Sequence, residues 1–256
     1  MSQVRPPTNP WKLALFWAVL AALAAVAILP YSLALNPALA ARLPVPFAVL
    51  AIGSAVQSAV LLFVLSWLGL RMGQALGLGS PLASALVYGQ RPIPVSGRGL
   101  SVAVVAGLAS GAAIMGLDWL LRPYMPAVAQ SGGLDIALWK RLLASFYGGI
   151  TEELLLRLFL MTLIAWLVWR LGFRGHPPTS PLLWTAIIAS AVLFGLGHLP
   201  AVAGIWPLTA VVVFRTVVLN ALGGLVFGWL YWRRGLEYAM LAHFCADIAL
   251  HGVGGS

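Results

Sequence analysis

The chain has little charge and almost no cysteine. Only 8% of its 256 residues are charged, whereas a soluble globular domain carries about 25% charged residues. Hydrophobic residues make up 61% of the chain, and its mean hydropathy is +0.97. This composition excludes a soluble enzyme and a disordered chain and predicts an integral membrane protein. The single cysteine, Cys245, excludes an internal disulfide, so helix packing has to supply the stability.

The few charges are unevenly divided between the two signs. The chain has 15 Lys and Arg against 6 Asp and Glu, a formal net charge of +9. In such an apolar chain the basic residues have to lie mainly in loops, where they orient a multispanning protein and attract anionic lipid headgroups. The excess therefore indicates a lipid bilayer as partner and not a nucleic acid.

The apolar runs predict an all-α polytopic transmembrane bundle of seven to eight spans. A spanning helix needs ~20 mainly apolar residues, and runs of about that kind cover 11–29, 47–70, 100–121, 136–169, 181–198, 208–232 and 237–250. The first run is predicted to be an anchor that ends at Pro30. The fourth would be ~50 Å long as one straight helix, so we expect it to break or kink at Gly148 and Gly149.

These runs form one integral membrane domain with two parts. Residues 1–135 hold three transmembrane helices and an interhelical loop, in which 81–88 could be a short interfacial helix. Residues 136–256 hold the helices with unusual polar residues. Placing the N-terminus inside gives nine basic residues in inside segments and four in outside segments, which favours that orientation. The inside ones are Arg5, Lys12, Arg71, Arg91, Arg98, Arg170, Arg174, Arg233 and Arg234, and the outside ones are Arg42, Arg122, Lys140 and Arg141.

An acidic pair and an arginine interrupt the fourth apolar run. One charge at the centre of a spanning helix costs ~2.5 to 3.5 kcal/mol on the insertion scale, so Glu152, Glu153 and Arg157 need a reason to be there. Glu153 and Arg157 are four residues apart, ~40° around a helix, and can pair. Glu152 lies ~140° from Arg157 and is left to face another group. The alternative is that all three form a structural polar cluster.

Two further helices carry polar groups that could meet Glu152. His198 closes the fifth run in the sequence FGLGH, one turn after Phe194, and His243 and Asp247 lie four apart in HFCAD. A lone histidine in a bundle is usually a hydrogen-bonded structural residue, and Asp247 could simply fix the imidazole tautomer of His243. Taken together, these groups are suited to activating a water and stabilising an oxyanion.

Other polar residues receive no catalytic assignment. Cys245 lies ~200° around the helix from His243 and is predicted to be a packing residue. His176 and His251 are expected to be solvated. Three more polar residues could line the same cavity or extend to the membrane surface, and these are Asp118, Arg215 and Asn220.

The three motifs together resemble the CPBP family, which comprises CAAX prenyl endopeptidases of the Ras-converting type and bacteriocin-processing or self-immunity proteins, also called Abi. They are EExxxR from Glu152 to Arg157, FxxxH from Phe194 to His198, and HxxxD from His243 to Asp247. Their order and spacing agree with the family over about residues 136–250.

The resemblance implies an intramembrane endopeptidase in a bacterial or archaeal cell membrane. It implies that Glu152 and His198 activate water and that His243 and Asp247 form the oxyanion site. Glu153, Arg157 and Phe194 would support these groups structurally. The substrate would be a membrane-bound peptide or protein, with or without a lipid.

The chain departs from the family pattern at two places. Leu156 and Leu158 flank the arginine where many members have Phe and Gly, and Asp247 stands where many have Asn. The first change is expected to alter packing only. The second bears on the oxyanion role, because a carboxyl group donates a hydrogen bond only when it is protonated.

Other functions stay open as alternatives. The sequence has no HExxH, no GxSG and no GxGD, which disfavours the other intramembrane protease classes. The same polar cluster could serve an immunity or binding protein, or a proton-coupled transporter, although no internal repeat supports the latter. A cofactor is not required, but zinc held by Glu152, His198 and His243 is the alternative to a glutamate base.

Overall fold

The computed structural model describes residues 9–35, 41, 45–90, 95–127 and 136–252. These residues form an all-helical bundle with no strand among them. Nine helices follow one another along the described chain: α1 (Trp11–Leu35), α2 (Phe47–Leu76), α3 (Pro81–Val87), α4 (Gly97–Leu121), α5 (Leu138–Gly172), α6 (Ser180–Gly197), α7 (Leu199–Val202), α8 (Ala210–Arg234) and α9 (Leu236–Gly252).

Six of these helices are long and apolar enough to cross a membrane, so the prediction of a polytopic transmembrane bundle is confirmed. They are α1, α2, α4, α5, α6 and α8. The seventh predicted span corresponds to α9, which has 17 residues and whose length is about 26 Å at 1.5 Å per residue. The predicted interfacial helix at 81–88 corresponds to α3.

Some predictions fall outside the described residues. The proposed boundary at 135 lies there, as do three of the basic residues used for orientation, Arg5, Arg42 and Arg91.

The first apolar run does not end at Pro30. Helix α1 continues through this proline to Leu35. Proline removes one backbone N–H from the helix ladder, and transmembrane helices tolerate this loss where neighbouring helices or local adjustment satisfy the freed carbonyl.

The fourth apolar run also stays helical instead of breaking at its two glycines. Helix α5 passes from α-helix into π-helix at 147–152 and again at 154–161, and returns to α-helix at 162. Gly148 and Gly149 are needed here because α9 packs directly on them. A Cβ at Gly148 would overlap the Asp247 carboxylate, and one at Gly149 would lie 3.1 Å from Cβ of Phe244. The glycines therefore allow close approach of two helices.

The helices alternate between the two ends of the bundle. At one end α8 turns into α9 at Gly235, and the N–H of Leu236 donates to the carbonyl of Gly79 at 3.0 Å. At the other end the Tyr31 ring of α1 packs on the His251 ring of α9, with 5.3 Å between centroids. We call these the Gly235 end and the His251 end.

The core of the bundle lies between the polar cluster and the Gly235 end. Side chains there with no measurable exposure include Leu154, Leu158 and Met161 of α5, Ile187 of α6, Leu230 of α8, and Leu236 and Ala239 of α9. This apolar layer closes the bundle on that side of the polar cluster.

Candidate active site

The π-helical stretch of α5 carries the acidic pair. Insertions of π-helix recur at functional sites, and here the wider turn places Glu152 and Glu153 in different surroundings. Glu152 lies on the wall of a cavity of about 410 Å³. Glu153 is completely buried behind it. The two neighbouring glutamates therefore differ in solvent access.

Glu152 faces two histidines from two other helices. Its Oε1 lies 4.0 Å from Nε2 of His198, and its Oε2 lies 3.7 Å from Nε2 of His243. Both separations exceed hydrogen-bond length, and each leaves room for a bridging water. The structure therefore brings these three side chains together, as predicted.

Each imidazole is oriented by a partner at its Nδ1 atom. Nδ1 of His198 lies 2.9 Å from the carbonyl oxygen of Phe194, and Nδ1 of His243 lies 2.8 Å from Oε1 of Glu153. Since these oxygens only accept, both Nδ1 atoms carry a hydrogen. Each imidazole consequently points its Nε2 atom into the cavity.

Glu153 also pairs with Arg157. Oε1 of Glu153 lies 3.3 Å from Nη1 of Arg157, and both side chains are almost completely buried. Arg157 further donates from Nη2 to the carbonyl of Gly224 at 3.3 Å. The spacing argument for this pair agrees with the geometry, although the sequence alone did not reveal that Glu153 also holds His243.

Asp247 lies beside Nε2 of His243, the ring nitrogen that faces the cavity. Its Oδ1 is 3.7 Å from Nε2 of His243, and Glu153 occupies Nδ1. Glu153, and not Asp247, therefore holds the Nδ1 hydrogen of His243, which does not favour the alternative that Asp247 simply fixes the tautomer. The reason is the direction of the ring, since Nδ1 turns towards α5 and leaves Asp247 beside the nitrogen that faces the cavity.

Aromatic rings enclose the histidines. Phe194 packs edge-on against His198, with 4.6 Å between centroids. Phe227 stacks on His243 at 4.4 Å and 19° between planes. The guanidinium of Arg157 lies over both phenyl rings, at 5.2 and 5.5 Å. Phe227 was not predicted, because a phenylalanine in an apolar helix gives no separate signal in the sequence.

The remaining polar residues divide between the cavity and the surface. Asn220 and His251 line the cavity, so the prediction that His251 is solvated is wrong: the helix end carries it inward against Tyr31. Arg215 and Asp118 form an ion pair at the His251 end. Cys245 is a free, partly buried thiol, and His176 is exposed.

A zinc ion does not fit these donors as they stand. Within the described ranges no group of three or more His, Cys, Asp or Glu side chains has the arrangement of a metal site. Two ligands of a tetrahedral zinc with bonds of 2.0 to 2.1 Å are about 3.4 Å apart, whereas the Glu152 to His198 separation is 4.0 Å.

The three motifs that form this site all lie in the segment of the chain that matches a known protein family. Residues 135–249 match the family of type II CAAX prenyl endopeptidase Rce1-like proteins. The resemblance drawn from the three motifs is thereby confirmed. The Rce1-like segment contains all seven predicted site residues, from Glu152 to Asp247. This family implies a protease that acts on a membrane-associated protein. Neither the curated proteins nor the solved structures gave a match.

Proposed function

We propose that this protein is an intramembrane endopeptidase that uses Glu152 as a general base to activate water. The observation that carries the proposal is the placement of both Glu152 carboxylate oxygens opposite imidazole Nε2 atoms from α6 and α9. A water between Glu152 and His198 would lie within hydrogen-bond reach of both, as a general base and its partner require.

The exposure of these groups supports their roles. The side chains of Glu152 and His198 are 22% and 35% exposed, so water and a peptide can reach them. His243 is buried on the far wall, where its neighbour Glu153 can stabilise an imidazolium. Water is thus admitted on one side of Glu152 and largely excluded on the other, where a fixed charge has most effect.

The reaction would proceed in two steps, the attack of water and the cleavage of the carbon–nitrogen bond. The oxygen of water attacks the scissile carbonyl carbon while Glu152 takes the proton, and the tetrahedral oxyanion accepts a hydrogen bond from protonated His243. The carbon–nitrogen bond then breaks, and Glu152 returns the proton to the leaving amine. His198 positions the water, and Asp247 in its acid form would add a second donor to the oxyanion.

The substrate is expected to be a membrane-associated peptide or protein, and the membrane a bacterial or archaeal one, in keeping with the bacteriocin-related branch of the family. The cavity supports a membrane-associated substrate because the last turns of α1 contribute apolar side chains, Ile28 and Leu35, beside the polar groups. An apolar wall next to a catalytic carboxylate suits a peptide that arrives from the bilayer.

The test is cleavage by the detergent-purified protein of fluorogenic membrane-anchored peptides, with and without a prenylated cysteine. Glu152→Gln keeps the size of the side chain and removes the base, so turnover should fall by about 10²- to 10⁴-fold. Glu237→Gln is the matched control. At the Gly235 end Glu237 accepts hydrogen bonds from the Ser80 hydroxyl and the Ala83 N–H. Its replacement should leave turnover unchanged.

Two alanine variants extend the test to the histidines. His198→Ala and His243→Ala should each lose activity while the protein still folds in detergent, because the three groups act as one unit. Equal turnover by the wild type and Glu152→Gln would contradict the proposal. No cleavage of any peptide by the wild type would favour an immunity or binding protein on the same scaffold.

A further inference from the structure

The start of helix α4 lies against the turn from α8 to α9 at the Gly235 end. A Cβ at Gly99, in the first turn of α4, would lie 3.2 Å from Nη1 of Arg234 and 3.2 Å from the hydroxyl oxygen of Tyr238. The last residue of α8 and a residue in the first turn of α9 therefore meet the first turn of α4 at one place. We call Arg98, Gly99, Arg234 and Tyr238 the α4 cluster.

The α4 cluster is rich in hydrogen-bond donors. The first N–H groups of a helix have no acceptor within the helix. In α4 the N–H of Gly99 donates to the Ser96 hydroxyl at 3.2 Å, which leaves those of Gly97 and Arg98. The guanidinium of Arg234 can only donate, and a phenol can donate as well as accept. The cluster therefore suits a ligand with several acceptor atoms.

Two of these donors lack a partner in the protein. Among the residues that the structure describes, neither the Tyr238 hydroxyl nor the Arg234 guanidinium makes a hydrogen bond or an ion pair. Tyr238 is only 7% exposed, so its ring is covered and its hydroxyl is directed at Gly99. Polar groups withdrawn from water without a partner destabilise a fold. This arrangement indicates that an acceptor from outside the chain completes the cluster.

The electrostatic surroundings of the α4 cluster are positive. Arg98 and Arg234 carry two full charges, and α4, with 25 residues, adds the positive end of its dipole. The acidic residue that the described chain has at this end is Glu237, whose Oε1 accepts hydrogen bonds from Ser80 and from the backbone of Ala83 in α3. Glu237 therefore faces α3 and not the cluster. The missing acceptor should accordingly be an anion.

The Gly235 end has the features of a helix end at a membrane surface. Lys12, Arg71 and Arg233 each lie over a tryptophan ring of their own helix, at 5.8, 5.3 and 5.4 Å from the centroid. Tryptophan rings beside basic side chains are typical of the headgroup level of a bilayer. The α4 cluster thus lies at the depth where lipid phosphates are found.

We propose that the α4 cluster binds a phosphate group, and that this phosphate belongs to the headgroup of an anionic phospholipid. Helix N-termini and guanidinium groups are donors that proteins use for phosphate, and the cluster has both. Its depth favours a lipid over a soluble phosphate ester. A bound headgroup would link α4 to the turn before α9, the helix that carries His243.

The test is titration of the detergent-purified protein with phosphatidylglycerol or phosphatidylcholine, followed by native mass spectrometry. The wild type should bind phosphatidylglycerol about tenfold more tightly than phosphatidylcholine. Arg234→Gln should weaken the binding of phosphatidylglycerol about tenfold, because a charge-assisted hydrogen bond is lost. Equal affinity of the wild type for both lipids would overturn the proposal.

Arg233→Gln is the matched control. It removes the same charge from the neighbouring residue, whose guanidinium lies over the Trp232 ring. This variant should change the affinity for phosphatidylglycerol by about twofold or less, as expected for an exposed charge. Equal losses in Arg233→Gln and Arg234→Gln would show a general attraction to a basic surface, and the proposed site would be wrong.

Two further variants leave every charge in place. Tyr238→Phe removes only the hydroxyl, and Gly99→Ala places a methyl group 2.9 Å from Cε1 of Tyr238 and 3.2 Å from Nη1 of Arg234. Each should weaken the binding of phosphatidylglycerol by about threefold or more, through the loss of one hydrogen bond or of space. Wild-type affinity in both would overturn the proposal, even if Arg234→Gln is not produced.

A soluble competitor distinguishes the two sources of phosphate. Glycerol 3-phosphate carries a phosphate group on glycerol without acyl chains, and at a concentration equal to that of phosphatidylglycerol it should not displace the lipid. Displacement that is weakened by Arg234→Gln would show that the α4 cluster takes a soluble phosphate ester, and the assignment to a lipid would be wrong. None of these measurements depends on proteolysis.

Discussion

Oε1 of Glu153 lies 2.8 Å from Nδ1 of His243, so the carboxylate that balances Arg157 also orients a histidine that is 90 positions away in the chain. This contact makes Glu153 a positioning residue as well as half of an ion pair. Its charge favours the protonated imidazole, and its hydrogen bond keeps Nε2 directed towards Glu152.

The two roles of Glu153 can be separated with a charge-neutral double variant. Glu153→Gln alone leaves Arg157 buried without its partner and should destabilise the fold. Adding Arg157→Met removes both charges and should return the melting temperature towards wild type. Turnover should stay about 10²-fold or more below wild type, since a neutral amide can select the wrong imidazole tautomer.

The readout is a detergent thermal melt together with turnover of the fluorogenic peptide. A double variant that regains both stability and wild-type turnover would show that Glu153 serves the ion pair only. In that case the contact with His243 has no part in the chemistry.

Arg157 and Arg122 offer a comparison of two ion pairs with the same spacing in the chain. Each arginine lies four residues after an acidic partner, but the Glu153–Arg157 pair is almost fully buried, whereas the side chain of Arg122 is 64% exposed beside Asp118. Arg157→Ala should cost ~3 to 5 kcal/mol of unfolding free energy. Arg122→Ala should cost about 0 to 1 kcal/mol.

Both variants are compared by thermal melting and by yield from the membrane fraction. An Arg157→Ala protein that melts like wild type but is inactive would contradict the structural assignment. Arg157 would then have to act on the substrate directly.

The sequence predicted the helices and the Glu153–Arg157 pair because both depend on local rules. Apolar runs determine where helices can span a bilayer, and the four-residue spacing of Glu153 and Arg157 brings the side chains together in any regular helix. The course of α1 through Pro30 was missed, since neighbours that tolerate a proline are not visible in one segment.

The contacts between helices could not be predicted in the same way. The stacking of Phe227 on His243 and the bond from His243 to Glu153 depend on the rotation of each helix about its axis. That rotation is determined by close approach at glycines, such as Gly148 against Asp247 and Gly224 against Ala191. The spacing of residues along one helix gives no information about it.

The role of Asp247 can be tested by replacing it with asparagine, the residue that many family members have at this position. Asp247→Asn supplies an N–H donor at every pH, whereas aspartate donates only in its acid form. We expect Asp247→Asn to keep or raise turnover and to extend activity to higher pH. Asp247→Ala removes the donor and should lower turnover by about 10²-fold.

The measurement is the pH profile of turnover for the three proteins, with a thermal melt as the control for folding. Gly148 leaves the space that the carboxylate occupies, and asparagine has nearly the same size, so the exchange should fit. Loss of activity in Asp247→Asn equal to that in Asp247→Ala would show that the negative charge of Asp247, and not a donated hydrogen bond, is what the site needs.

The last prediction concerns metal. The Nε2 atoms of His198 and His243 lie 4.0 and 3.7 Å from the Glu152 carboxylate oxygens. Both histidines already have oriented Nδ1 atoms, which a general base and a zinc site would equally require. The distances favour a water held by hydrogen bonds, so we expect turnover to survive chelation.

Metal analysis of the purified protein provides a readout independent of activity, and Glu152→Gln should leave the metal content unchanged. Stoichiometric zinc in the active protein, lost in Glu152→Gln, together with inactivation by chelator and recovery on adding zinc, would contradict the glutamate-base mechanism and make Glu152, His198 and His243 ligands.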